Sequence, residues 1–222
     1  MELLVQLDKN LLKWAYQRPF NNTPLVKAMI FMGDAPFWML IIVLTALAGQ
    51  LLNTPRFELL AIALMLGLAI GNLIFGQLKI RVNRRRPYAN PSLQETLNLT
   101  IHNRDPGHAS KELESFPSGH VFWTTLCVCL IGFQFGGVSA ILFGWMIPSM
   151  MYLRPHLGVH YPSDTIAGLA LGVIISSITQ LILPYVWEFL TPLKASPYYL
   201  YGYWLFIALF LIIGVKSWLK RV

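Results

Sequence analysis

Ser115-Phe116-Pro117-Ser118-Gly119-His120 closes a hydrophilic stretch, residues 79–115, and opens a run from Val121 to Phe135 that carries no formal charge. Pro117-Ser118-Gly119 reads as a loop-to-helix junction. A helix start carries unpaired N–H groups and a partial positive charge, both of which favour an anion. Gly119 lets a ligand approach the backbone, Ser118 adds a hydroxyl, and His120 gives or takes a proton near neutral pH. Alone, such a sequence is an ordinary helix cap. Its company is less ordinary. Lys79 and Arg86-Pro87 precede it, seven residues apart, a step that returns both cations to one face if the helix continues. Arg154, His160 and Asp164 follow, the last two at a spacing of four that lets a carboxylate reach an imidazole. Fixed cations, two histidines, one carboxylate and a helix start make a phosphate site, provided that the fold gathers them.

The elements that must do so are apolar. The chain has 222 residues, 55% of them hydrophobic and only 12% charged, where soluble domains run near a quarter charged; this is membrane composition. The net charge of +7 is unevenly placed, so anionic lipid or phosphate accounts for it and no nucleic-acid partner is expected. Cys127 and Cys129 stand two apart in an apolar run and read as packing residues, not as a disulfide or metal pair. Met1 leads into an amphipathic pattern, so no cleavable signal peptide is expected.

Leu3, Leu4, Leu7, Leu11, Trp14 and Ala15 recur at spacings of three and four among Glu2, Asp8, Lys9 and Lys13. This predicts an amphipathic helix too polar to span, lying in the membrane interface. A second short helical piece reaches Met32, and Gly33-Asp34-Ala35-Pro36 is a start signal with Asp34 as N-cap. Apolar runs then predict spans at 35–52, 57–78, 119–135, 138–153, 163–186 and 198–218, with a tight turn at Gly136-Gly137. The last begins with Tyr198, Tyr199, Tyr201, Tyr203 and Trp204, an aromatic belt. The expected fold is all-α: one domain over residues 1–222, an integral membrane bundle of six transmembrane helices with an interfacial amphipathic helix at its N-terminus. Six spans put the excursion 79–115 and the loop 154–162 on one side. In the excursion His102, Arg104, His108, Lys111, Glu112 and Glu114 are expected to shape a headgroup pocket, while Arg81, Arg84 and Arg85 read singly as headgroup anchors.

Lys-x6-Arg-Pro, Pro-Ser-Gly-His and Arg-x5-His-x3-Asp, in that order, resemble the three motifs of the type 2 phosphatidic acid phosphatases, membrane lipid phosphatases that share their site with vanadium haloperoxidases. The similarity covers about 57–186 as a catalytic core; residues 1–33 and the span 198–218 lie outside it. Leu153 stands where the family usually has Ser before the third-motif Arg. The resemblance implies that His160 attacks phosphorus to give a phosphohistidine, with Asp164 holding its ring. His120 is then the general acid and later the base that activates water. Lys79, Arg86, Arg154, Ser118 and the Gly119 N–H hold the non-bridging oxygens. No metal or other cofactor is implied, since the cations supply the positive charge.

The substrate is expected to be a lipid phosphate, with its tails among membrane lipids. Extra bases near the site lean toward a highly anionic headgroup such as undecaprenyl diphosphate, with phosphatidylglycerol phosphate close behind. Phosphatidic acid and lipid A are also candidates. A lipid phosphotransferase and a lipid-binding or transport protein on the same fold are the rival readings. Nothing in the sequence bears on oligomeric state. Two arguments about sidedness conflict. Relatives of the bacterial inner membrane imply a periplasmic site, whereas fifteen of the seventeen lysines and arginines, all but Arg56 and Lys194, fall on the site's side. The positive-inside rule assigns that side to the cytoplasm.

Overall fold

The computed structural model describes residues 2–21, 23–105 and 113–219; His108, Lys111, Glu112, Lys220 and Arg221 lie outside them. The described residues form ten α-helices: α1 (Glu2–Tyr16), α2 (Pro24–Met32), α3 (Ala35–Leu51), α4 (Pro55–Val82), α5 (Pro91–Leu97), α6 (Gly119–Phe135), α7 (Gly137–Gly144), α8 (Met146–His156), α9 (Pro162–Leu190) and α10 (Tyr199–Leu219). Proline occupies the first turn of α2, α3, α4, α5 and α9, where its missing N–H costs nothing. Asp34 caps α3 as expected, its Oδ1 accepting from Ala35 N at 2.8 Å.

Among the described residues three helices are long and apolar enough to cross a membrane: Pro55–Val82, a stretch over Pro162–Ala195, and Tyr199–Lys216. The pair α2 and α3, bent by 66° at Gly33-Asp34, passes the same test together. The expected span at 119–135 is the shorter apolar helix α6. That at 138–153 is not one helix. Gly144 ends α7, and α8 restarts at Met146 carrying Arg154 and His156 in its last turn.

The core lies where α4, α6 and α9 meet, around Leu64, Phe122, Leu126, Leu130 and Ile175. Small residues let α6 and α9 approach closely. A Cβ on Gly168 of α9 would stand 2.6 Å from the Ser118 carbonyl oxygen, and one on Gly172 would stand 2.6 Å from Thr125 Cβ. The same approach lets Ser118 N donate to the Asp164 carbonyl at 3.0 Å, tying the starts of the two helices together. Cys127 is buried in this core as a free thiol, and Cys129 is free and partly buried.

The helix α1 packs on α8 and α9, but not by its apolar stripe. Leu3, Leu4, Leu7, Leu11 and Trp14 are exposed, whereas Asp8, Leu12, Ala15 and Tyr16 face the bundle. The hydrocarbon stripe thus points outward and the carboxylate inward.

Gly168→Ala forces apart the helix starts that carry the site, at an overpacking cost of about 1–3 kcal/mol. A lowered unfolding midpoint in detergent is the expected result, measured by thermal denaturation against wild type.

Candidate active site

Three chain segments meet at the starts of α6 and α9. Helix α4 ends because Asn83 adopts φ 44°, a left-handed C-cap, so Arg86 does not lie on a continuation of that helix as its spacing from Lys79 suggested. Residues 84–86 instead run extended and pair with 113–115: Arg86 N donates to Leu113 O at 2.8 Å and Ser115 N donates to Arg84 O at 2.7 Å, making an isolated antiparallel β-bridge between the backbones of Arg85 and Glu114. Arg86 is buried, and its Nε donates to Glu114 O at 3.2 Å. Lys79 stays on α4 with its ammonium 5.4 Å from the centre of the Phe75 ring. Gly119 packs against the same ring, a Cβ there standing 3.2 Å from Phe75 Cζ.

His160 lies in the turn before α9 and is almost wholly buried. Its Nδ1 is 2.7 Å from the Ser115 carbonyl oxygen. A carbonyl only accepts, so Nδ1 carries the proton and Nε2 the lone pair. Asp164, expected to hold this ring, is farther away, its Oδ2 at 3.7 Å from Nδ1. Its oxygens are engaged elsewhere: Oδ2 accepts from Tyr161 N at 2.8 Å and Oδ1 from Arg84 Nη1 at 2.8 Å. Asp164 closes the capping box of α9, and the Ser115 carbonyl takes the orienting contact. Burial dominates and pushes the His160 pKa down to about 3; Asp164 pulls against it, and the positive charge of Arg86 and Arg154 adds to the lowering. The imidazole is therefore neutral at physiological pH.

Arg154 is fully buried at the end of α8. One of its nitrogens, Nη1, donates to Asp105 Oδ2 at 2.9 Å, while Nε and Nη2 have no hydrogen-bond partner among the described residues. Ser118 stands at the N-cap of α6, yet its buried Oγ caps nothing and is likewise without a partner. Such groups are costly unless something supplies an acceptor. His120, in the first turn of α6, is buried between Trp123, at 6.2 Å between ring centres, and the α2–α3 bend, where a Gly33 Cβ would stand 3.1 Å from its Cδ2.

Not every candidate belongs here. Arg104 lies flat on Tyr16 at 3.6 Å and donates to Tyr16 O and His156 O, which ties the loop to α1 and α8. His102 N donates to the Tyr16 hydroxyl. Arg84 is no headgroup anchor either: it bridges Asp8 and Asp164 and lies 3.5 Å over the Tyr161 ring. The sequence analysis missed Asp105, the partner of Arg154, and the Ser115 carbonyl. A main-chain acceptor leaves no trace in residue type, and Asp105 stands 49 residues from its arginine.

The fold and site together define a helical protein with membrane-length apolar helices and a cluster of buried arginines and histidines at paired helix starts. Residues 60–188 match the family model described as PAP2 superfamily, which is more than half of the chain. The chain belongs to the PAP2 superfamily. It is similar in fold to a transmembrane PAP2-type phosphatidylglycerolphosphate phosphatase from Bacillus subtilis, with TM-score 0.62 and 19% identity over 81% of this chain and 86% of that one. It is also similar to LpxE from Aquifex aeolicus, with TM-score 0.57 and 19% identity over 78% of this chain and 94% of that one. In sequence, 66 residues are 39% identical to a decaprenylphosphoryl-5-phosphoribose phosphatase from Mycobacterium tuberculosis, covering 30% of this chain and only 36% of that protein.

A His160 pKa of about 3 in the fold, against 6.5 when unfolded, gives stability a defined pH dependence. Between those values the unfolded chain binds a proton that the folded chain refuses, so stability falls as pH drops through that window. His160→Gln removes this contribution. Unfolding midpoints measured from pH 7 to pH 4 are expected to decline less steeply in the variant than in wild type.

Proposed function

We propose that this protein is a membrane lipid phosphatase acting through a phosphohistidine at His160. The observation that carries the proposal is the 2.7 Å contact from His160 Nδ1 to the Ser115 carbonyl. It leaves the Nε2 lone pair of a neutral imidazole available, on a ring that feels the charges of Arg86 and Arg154. The lone pair attacks phosphorus, the bond from phosphorus to the lipid oxygen breaks, and His120 gives that oxygen a proton. Water then attacks the phosphohistidine, His120 takes the proton, and phosphate leaves with Nε2 restored. Arg154 Nε and Nη2 and Ser118 Oγ, buried and without partners, would meet phosphoryl oxygens; Arg86, Lys79 and the Gly119 N–H complete the cradle. Asp164 acts at one remove, fixing the turn that presents His160.

Two of the similar proteins are phosphatases of phosphatidylglycerolphosphate and of decaprenylphosphoryl-5-phosphoribose, each a phosphate monoester on a lipid-borne headgroup. That supports a monoester such as phosphatidylglycerol phosphate over undecaprenyl diphosphate as substrate. An apolar cleft of about 410 Å³ among α3, α4 and α10 supports a lipid tail, since it reaches Trp123, the neighbour of His120. Six crossings of a bacterial inner membrane, with α6 and the α7–α8 pair as the short ones, put the site at one surface, where α1 lies with its leucines in the lipid. The outer face is the reading we adopt. Arg84, Arg86, Arg104 and Arg154 are pinned by internal contacts, so part of the charge asymmetry builds the site and says little about orientation.

The test is phosphate release by purified protein in detergent with EDTA present, on phosphatidylglycerol phosphate, undecaprenyl diphosphate, phosphatidic acid and lipid A. Turnover that survives EDTA, vanishes in His160→Ala and falls about 10²–10³-fold in Arg154→Ala is the expected result. Full activity in His160→Ala would overturn the covalent mechanism. Phosphate transfer only when a second lipid is supplied would favour a phosphotransferase, and silence on all four would favour a binding or transport role.

A further inference from the structure

Ser163 N belongs to the first turn of α9, where helix N–H groups lack partners of their own. Its partner comes from 155 residues away: Asp8 Oδ1 of α1 accepts it at 2.8 Å. The other oxygen, Oδ2, accepts from Ser163 Oγ at 2.8 Å and from Arg84 Nη2 at 2.7 Å. Through Nη1 the same guanidinium reaches Ser163 Oγ at 2.7 Å and Asp164 Oδ1 at 2.8 Å. Asp8 is 9% exposed, on a helix whose outward faces present five large apolar side chains. A carboxylate turned inward from an outward-facing hydrocarbon stripe is a connection, since burying it unpaired would be costly.

From this we infer that α1 is a strut between the lipid surface and the catalytic turn, with Asp8 and Arg84 as positioning residues for His160. The occupant of the outward face is membrane lipid. Leu3, Leu4, Leu7, Leu11 and Trp14 make one exposed hydrocarbon stripe, while Lys13, off that stripe, donates to Leu97 O at 3.0 Å. Lipid holds α1, Asp8 on α1 holds Ser163 and Arg84, and Arg84 holds Asp164 and Tyr161, the residues that follow His160. Arg84 also sets which acceptor faces the His160 ring. While it engages Asp164 Oδ1, that carboxylate stays 3.7 Å from Nδ1 and the Ser115 carbonyl keeps the proton at 2.7 Å. Released, Asp164 competes for the proton and turns the ring.

The inference rests on the phosphatase reading, so its test starts from active wild type in phosphatidylglycerol vesicles, assayed on phosphatidylglycerol phosphate and on the water-soluble monoester p-nitrophenyl phosphate. Neither positioning residue touches substrate, so kcat falls with KM unchanged on both substrates, by about 10–100-fold for Arg84→Ala. Asp8→Ala follows in the same direction, and the double variant is no worse than Arg84→Ala alone, because the two act as one unit. Asp8→Asn keeps the shape and an acceptor for Ser163 N while removing the charge; it retains fold and KM and loses part of kcat. Replacing Leu3, Leu7 and Leu11 together by Gln lowers kcat in vesicles and adds nothing in the Asp8→Ala background. Wild-type kcat in Asp8→Asn and Arg84→Ala, multiplicative losses, or an inert leucine variant would overturn the strut while leaving the phosphatase standing. Absence of phosphate release from wild type would instead sink the underlying reading and, with it, the strut.

Discussion

A neutral imidazole offers one lone pair, and the destination of the other nitrogen's proton decides which nitrogen offers it. In this protein that destination is a main-chain carbonyl, Ser115 O, held in place by a chain of backbone contacts. Ser115 N donates to Arg84 O, Arg86 N to Leu113 O, and the whole pairing exists because Asn83 turns α4 off at Val82. A neutral acceptor stabilises an imidazolium less than a carboxylate in direct contact, which suits a histidine that burial and two arginines keep unprotonated. The site is thus built on backbone geometry, and its side chains are positioned relative to it.

Burying cations imposes the second constraint. Arg154 is sealed inside the protein with Asp105 as its ion-pair partner. One carboxylate occupies one of its nitrogens and leaves the others without partners among the described residues. An ion pair of this kind is weak evidence for stability, because the desolvation of both groups opposes their attraction. In the proposed mechanism it holds a charge where a second anion, the substrate phosphate, can meet it. Arg84 shows the contrasting arrangement, with carboxylates on either side of its guanidinium and an aromatic ring beneath it. Asp8, Ser163 and Asp164 take three of its five N–H groups. The two arginines of this region thus differ in how fully their donors are taken up within the protein.

The two outermost helices are secured at opposite ends of the bundle by the same chemistry. Helix α1 is tied to the site end through Asp8 and through Ala15 O, which accepts from His156 Nδ1 at 2.8 Å. Helix α10 is tied near the start of α4, where Glu58 accepts from Lys194 Nζ at 2.8 Å and from the Tyr199 hydroxyl at 2.6 Å. Apolar contact is a poor discriminator between protein and lipid, since both offer hydrocarbon. Directional polar contacts fix where a peripheral helix attaches.

The sequence by itself determined most of the apolar helices and their approximate ends, though not the break at Gly144 that splits 138–153 into α7 and α8, and it marked the residue types that could serve phosphate chemistry. Runs of hydrocarbon, prolines in first turns and the order of Lys79, His120 and His160 are local properties, legible from residue type and spacing. It misjudged what depends on partners far along the chain. Leu3 and Leu7 were readable as the stripe of an interfacial helix and are exposed, but the spacing did not show that the group turned inward is Asp8. Spacing of four made Asp164 the natural partner of His160, whereas the tertiary structure gave that contact to Ser115 O, 45 residues away. Arg84 looked like any juxtamembrane cation until Asp8 and Asp164 closed on it from two other helices. The physical reason is common to all three: a polar group's role is set by which complementary groups exclude water around it, and only the folded chain assembles them.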